Sequence, residues 1–225
     1  VANFIKINYC RLCCSKDLIT IIDFKKIAIG NNLENKKSLA IKAKKFKLLL
    51  NKCNQCHHFQ LGHVVDDHIL YKKNYTYLSG VGKSFIKHFN EYVKWSNKKI
   101  PNLKKCKVLD IGSNDGTCLK AFKKIGCFVL GVDPAKKPAR IANQNKIVTI
   151  NSFFDKKTAN YILRKYGFFD FITSHNVLAH VNDLRKIFKN IYNVLIIDGF
   201  FCFEVGYLHE VLTKNYFDTI YHEHL

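Results

Sequence analysis

The sequence predicts an α/β protein: a Rossmann-like parallel sheet flanked by helices, with a small cysteine-bearing module in front of it. Three observations predict this. From about residue 105, short apolar runs alternate with segments of helical spacing, the pattern of a parallel sheet covered by helices. The first of these runs ends in a glycine-bearing turn, Asp110-Ile-Gly112-Ser-Asn114-Asp115-Gly116. Ahead of this region stand two Cys-x-x-Cys pairs, Cys10 with Cys13 and Cys53 with Cys56.

The module comes first in the chain. A Cys-x-x-Cys turn aims two thiolates at one point, and two such turns complete the tetrahedral sulfur shell of a structural zinc ion. The nine cysteines are an odd number and the N-terminus lacks signal-peptide order, which argues against a disulfide framework. Cys14, His57 and His58 lie beside the knuckles as substitute ligands, but four thiolates already fill the shell and leave no open position. Between the knuckles, Leu39, Ala43, Phe46 and Leu50 recur at three- and four-residue steps, so a helix is expected over 36–50. Cys106, Cys118, Cys127 and Cys202 fall in apolar runs and are expected to be buried and inert. The expected division is a zinc-binding domain over 1–75 and a second domain over 76–225.

In that second domain, strands are expected at 107–112, 128–133, 147–150, 169–173 and 200–204. Helices are expected at 116–125, 136–144, 156–165 and 183–195. In such a sheet ligands sit at the C-terminal strand edges. Gly112 and Gly116 let the backbone approach a nucleotide-like ligand, and the helix N-terminus offers free N–H groups. Asp133 closes the second strand, where a carboxylate can accept from both ribose hydroxyls. A dinucleotide fold needs a second glycine where Asn114 stands, and Asp115 would repel a pyrophosphate. S-adenosylmethionine carries a sulfonium cation and no phosphate, so the acids favour this methyl donor over NAD.

The charge is lopsided: 37 Lys+Arg against 17 Asp+Glu, a formal +20. That invites nucleic acid as a partner. However, only Arg11, Arg140, Arg164 and Arg185 are arginine, and Arg is the residue that reads phosphates and guanine bidentately. The lysines are spread along the chain, so the reading is a Lys-rich solvated surface with no nucleic-acid partner. The apolar stretch 194–205 is broken by Asp198 and Gly199 and falls short of the roughly 18 residues of a membrane span. No membrane association and a cytoplasmic location are expected. Val stands first and Met is absent, so the chain is expected to be a piece of a longer protein.

Two further segments carry chemistry. Ser174-His175-Asn176-Val177-Leu178-Ala179-His180-Val181 follows the fourth strand and lacks the Asn-Pro-Pro-Tyr type of loop that grips a flipped base. Near the end, Phe217-Asp-Thr-Ile-Tyr221-His222-Glu223-His224 groups side chains suited to acid–base work near neutral pH. A solvated polar turn, or a metal held by His222 and His224 without H-E-x-x-H spacing, are the alternatives there.

With these residues in place, the chain resembles the S-adenosylmethionine-dependent C-methyltransferases that act on nucleotide-linked 4-keto deoxysugars. The resemblance covers nearly the whole chain. It runs through the paired Cys-x-x-Cys module, Gln60-Leu61, Tyr75-Thr-Tyr77-Leu-Ser79, Val108 to Gly116, Gly131-Val-Asp-Pro-Ala135, Asn176 to Val181, and Phe217 to Leu225. Gly206 departs from it, standing where the family often has proline. The resemblance implies a class I methyltransferase core, structural Zn2+ on Cys10, Cys13, Cys53 and Cys56, and a further C-terminal α/β domain that this chain lacks. It implies His224 as the base, with Glu223 orienting its ring, Tyr221 hydrogen-bonding the sugar and His180 stabilising the enediolate. S-adenosylmethionine would be held by Asp110, Gly112, Asn114, Asp115, Gly116 and Asp133. Asn176, Tyr77 and Ser79 are assigned to the cofactor or the sugar, and a monomer is expected. A zinc-containing RNA methyltransferase, a non-enzymatic binding protein on a degenerate fold, and methylation of oxygen or nitrogen stand as alternatives.

Overall fold

The computed structural model describes residues 4–30, 35–66, 70 and 78–225. The chain divides into two compact units. One combines Val1–Tyr75 with Ala179–Arg185 and Gly206–Leu225; the other combines Thr76–Leu178 with Lys186–Val205.

The first unit contains β1 (Phe4–Lys6), β2 (Leu18–Ala28), α1 (Lys37–Ile41), β3 (Lys45–Cys53), β4 (Phe59–Leu61) and β5 (His63–Val65). Strands β2, β3 and β4 make an antiparallel sheet, and β1 pairs with β5. The expected helix over 36–50 is therefore corrected: only its first part is helical, and from Lys45 the chain is a strand. Phe46 and Leu50 fit both periods, but Leu48 between them fits only the period of two. All three are buried on one face of β3. Pairing with β2 on one side and β4 on the other satisfies the backbone and overrides the local helical spacing. Leu48, Leu50 and Leu61 pack with Ile220, and Val211, Leu212 and Leu225 close over them. This apolar cluster mounts the C-terminal segment on the small sheet.

The second unit alternates as expected: α2 (Lys83–Lys99), β6 (Lys107–Ile111), α3 (Thr117–Lys124), β7 (Phe128–Val132), α4 (Lys136–Gln144), β8 (Thr149–Ile150), α5 (Lys156–Tyr166), β9 (Phe169–His175), α6 (Leu184–Val194) and β10 (Leu195–Glu204). All five strands are parallel, in the order β10-β9-β6-β7-β8. The chain moves outward from β6 to β8, then returns to lay β9 and β10 on the other side of β6. That reversal opens a crevice at the C-terminal ends of β6 and β9, the place where such sheets bind ligands. Beneath it, Phe89, Val93, Val108, Leu119, Phe122 and Phe171 form the core between α2, α3 and the sheet. Burying each such side chain contributes about 1.5–3 kcal/mol. Asp155 caps α5 by accepting from the Thr158 N–H at 2.8 Å. Cys106, Cys118 and Cys127 are buried as expected, whereas Cys202 is half-buried. Among the described residues no helix is long and apolar enough to cross a membrane.

Candidate functional site

The two knuckles of the first unit are the same turn built twice. Cys14 N–H donates to Cys10 C=O, and His57 N–H donates to Cys53 C=O. Each residue after the second cysteine takes the left-handed conformation, Cys14 at φ 66° and His57 at φ 60°. The result brings four sulfurs together: Cys10 to Cys56 and Cys13 to Cys53 are each 3.6 Å apart, and all four lie within 4.8 Å of one another. Sulfurs about 2.3 Å from a zinc ion stand about 3.8 Å apart at the corners of a tetrahedron, so the shell fits the metal. Against the upward pull of burial, the N–H groups of Cys56 and Gln55 hold the Cys53 thiol down at about 7. Cys14, His57 and His58 stay outside the cluster.

Arg11 follows the first cysteine and is buried, and its guanidinium nitrogens have no hydrogen-bond partner. Burial lowers it to about 10, and the Cys10 charge opposes that. A zinc ion with four thiolates carries net negative charge, which a buried guanidinium offsets.

In the second unit, the glycine loop is held by its own acids. Gly112 sits at φ 75° and Gly116 at φ 78°. A Cβ on Gly112 would stand 2.2 Å from Val177 Cγ2, so only glycine lets the loop lie against the turn after β9. Asp133 accepts from Asn114 N–H and Ala135 N–H, both at 2.8 Å. Each carboxylate oxygen keeps a further lone pair. Asn114 Oδ1 accepts from Ser79 N–H at 3.0 Å, and Asp115 Oδ2 from Gly80 N–H at 2.8 Å. Thr117 Oγ1 donates to Asp115 Oδ1 at 2.6 Å. Ser79 thus meets the loop through its backbone, and Asp115 serves to tie the 79–81 turn down. Gly80 and Thr117 are residues that sequence reasoning missed; the Asx spacing of Asp115 and Thr117 was the available signal.

Asp110 is buried at the end of β6, and its Oδ1 has no partner. Burial and then the Asp133 charge push it well above the ordinary carboxylate value. Asp133 is raised as well, by burial against the pull of its two backbone donors. Two buried acids and an orphaned oxygen at the switch point make a site that a cation relieves. The donor set therefore fits S-adenosylmethionine. Asn176 sits at φ 54°, its N–H donating to Glu204 C=O at 2.8 Å. Tyr77 lies outside the described residues.

The C-terminal cluster belongs to the first unit, together with 179–185. His224 Nδ1 lies 2.7 Å from Thr219 C=O. A carbonyl only accepts, so the proton is on Nδ1 and Nε2 presents its lone pair. Burial lowers the His224 pKa below 6.5, with the Thr219 contact and the Glu223 charge opposing and the His180 charge assisting. The bond that orients the His224 ring thus comes from Thr219, and Glu223 reaches that ring through its charge. The Tyr221 ring stands 4.2 Å from that of His224, and the His180 ring 4.9 Å from it. His180 Nδ1 donates to the Glu223 carbonyl at 2.6 Å. His222 turns the other way, its Nε2 3.3 Å from Phe46 C=O, and is buried. Tyr221, Glu223, His224 and His180 are therefore one cluster, and His222 anchors it.

Both the cysteine module and the parallel-sheet unit have relatives among known proteins. Residues 72–225 match the family described as "Methyltransferase domain", and residues 10–71 match "Putative zinc binding domain". The chain is 31% identical over 218 residues to the C-methyltransferase NovU of Streptomyces niveus, covering 97% of this chain and 52% of that protein. It is 28% identical over 124 residues to a ubiquinone biosynthesis O-methyltransferase of Pelagibacter ubique, covering 53% of this chain and 48% of that one. The chain thus spans about half the length of the curated relatives it matches. Among solved structures, the PH0226 protein of Pyrococcus horikoshii is similar with a TM-score of 0.50 at 21% identity, covering 66% of this chain and 71% of that one.

Proposed function

We propose that this chain, which belongs to the methyltransferase-domain family and has the class I fold, moves a methyl group from S-adenosylmethionine to a carbon beside the ketone of a nucleotide-linked 4-keto deoxysugar. The observation that carries the proposal is the cluster of His224, Tyr221, Glu223 and His180, because methylating carbon needs a base that removes a carbon-bound proton. The 31% identical relative, named for carbon methylation, supports the choice of acceptor.

S-adenosylmethionine, once bound, supplies a methyl group on a positively charged sulfur. Asp133 would accept from its ribose hydroxyls, and Asp110, the Gly112–Gly116 loop and Asn176 would hold the rest of the molecule. Ser79 and Asp115 hold that loop in shape. His224, neutral and with Nε2 free, takes the proton from the carbon next to the ketone. Tyr221 orients the sugar, and Glu223 stabilises the imidazolium that forms. His180 already spends its Nδ1 proton on Glu223 C=O, so it donates to the enediolate oxygen only from a protonated Nε2. The four cysteines hold zinc as a structural cross-link and take no part in the reaction.

The test is to supply S-adenosylmethionine labelled in its methyl carbon and a dTDP-4-keto-6-deoxy sugar, then locate the label by NMR. A new carbon–carbon bond beside the ketone is the expected result. Label on a sugar oxygen would favour the O-methyl reading, for which the Pelagibacter relative speaks. No transfer at all would overturn the substrate class.

A further inference from the structure

Outside the clusters already used, β9, β10 and α2 bring together three groups that the sequence keeps far apart. In the parallel ladder Glu204 stands opposite His175, so their side chains share one face of the sheet. Thr173, two residues earlier on β9, shares that face as well. On α2, His88 and Tyr92 are four residues apart and so project on one side of the helix. His88 Nε2 lies 2.7 Å from Glu204 Oε2, and His175 Nδ1 lies 3.8 Å from the same oxygen. The ligand atoms of His88, His175 and Glu204 all lie within 4.8 Å of one another.

The His175 ring is the telling member. Its side chain is 7% exposed, and its Nδ1 has no hydrogen-bond partner. Its Nε2 is 2.9 Å from Thr173 Oγ1, which is itself 2.8 Å from Tyr92 Oη. Nε2 also stands 3.6 Å from Cys118 Sγ. In the tautomer whose Nε2 donates to Thr173, a nitrogen lone pair faces the carboxylate oxygen at 3.8 Å, too long for a hydrogen bond. In that tautomer two acceptors face each other across a gap, which is how an imidazole is presented to a metal ion.

We infer that His88, His175 and Glu204 form a second metal centre, which takes a divalent transition-metal ion such as Zn2+ through two imidazoles and one carboxylate. Two nitrogens and one oxygen suit Zn2+, Co2+ or Fe2+ and disfavour Mg2+ and Ca2+, which prefer all-oxygen shells. His88 and Glu204 are partly exposed at 44% and 38%, so solvent completes the shell from one side. The ion clamps α2 to the ends of β9 and β10. The inference is independent of the methyl-transfer reading.

The test is metal stoichiometry on the chain as it is. Protein dialysed against EDTA is titrated with Co2+, and bound ion is read by elemental analysis and by the visible spectrum. The expected result is a tetrathiolate ion with intense sulfur-to-cobalt charge transfer, plus a second equivalent with weak ligand-field bands alone. His88→Gln alters an exposed helix position and so leaves the fold intact, checked by circular dichroism. It is expected to lose the second equivalent and keep the first, as is His175→Ala. A single equivalent in the unaltered protein, or a second equivalent that persists in His88→Gln or His175→Ala, overturns the inference. Calorimetry with S-adenosylmethionine on the same samples reads the methyl-donor site separately.

Discussion

Gly112→Ala is the substitution whose cost the structure lets one work out in parts. The residue sits at φ 75°, where an L side chain costs about 1–2 kcal/mol. The new methyl would stand 2.2 Å from Val177 Cγ2 and 3.3 Å from Val177 Cβ and Cγ1, an overlap that costs typically about 1–3 kcal/mol in a packed setting. The sum predicts a loss of roughly 2–5 kcal/mol, which urea unfolding reads as a lower midpoint at an unchanged slope. The two parts separate in a double-mutant cycle. Val177→Ala removes the opposing methyls, so Gly112→Ala on that background keeps the backbone part and recovers the steric part. S-adenosylmethionine affinity, read by calorimetry, is expected to fall in Gly112→Ala and recover partly in the double variant. If Val177→Ala restores neither stability nor affinity, contact with the turn after β9 is not why glycine stands there, and the reasoning fails.

Other perturbations have equally definite outcomes. Cys53→Ser, or zinc removal by a strong chelator, should unfold the first unit, because metal binding free energy in such modules is folding free energy; loss of far-UV ellipticity reversed by added zinc is the readout. Arg11→Met is expected to weaken zinc binding about 10–100-fold, the range for groups that tune a metal's ligands, measured by competition with a chromophoric chelator. Asp133→Ala removes an acceptor shared by two backbone N–H groups and should raise the S-adenosylmethionine dissociation constant by about tenfold or more, taking a charged hydrogen bond as about 1.5–3 kcal/mol. For pH, the His224 pKa is lowered below 6.5, chiefly by burial. The proposed base is therefore neutral above pH 6.5. The acid limb of kcat/KM should fall below pH 6.5; a limb centred well above it would contradict the buried, Thr219-bound ring.

The α/β unit was legible because its signals are local. Lys136–Gln144 is a helix over its expected range, and Lys107–Ile111 and Phe128–Val132 end within a residue of expectation. Apolar runs punctuated by Gly112, Gly126 and Gly167 fix where each element stops. The first unit was less legible, since β2 and β3 are defined by pairing with each other and not by their own period. Phe46 and Leu50 satisfied a helical template that Leu48 did not. The four cysteines stood out because their spacing is itself the geometry of the shell. Of the C-terminal cluster, the residue types were visible at Tyr221, Glu223 and His224. Their mounting on the small sheet through Ile220 and Leu225 was not, because it depends on contacts well over 100 residues apart in the chain. The orienting role of Thr219 C=O was hidden for a simpler reason: a backbone carbonyl leaves no mark in the sequence. His88, His175 and Glu204 share that obscurity, each unremarkable until β9, β10 and α2 are brought together.

The proposed reaction turns on His224 removing a carbon-bound proton. The direct measurement is deuterium exchange at the carbon next to the ketone of a dTDP-4-keto-6-deoxy sugar, in heavy water, followed by NMR with and without S-adenosylmethionine. The protein is predicted to catalyse exchange. His224→Ala is predicted to slow it by about 10²–10⁴-fold, the usual contribution of a general base, while zinc content and S-adenosylmethionine binding stay unchanged. Exchange by His224→Ala at the unaltered rate, with zinc and cofactor bound, would contradict the proposed role of His224.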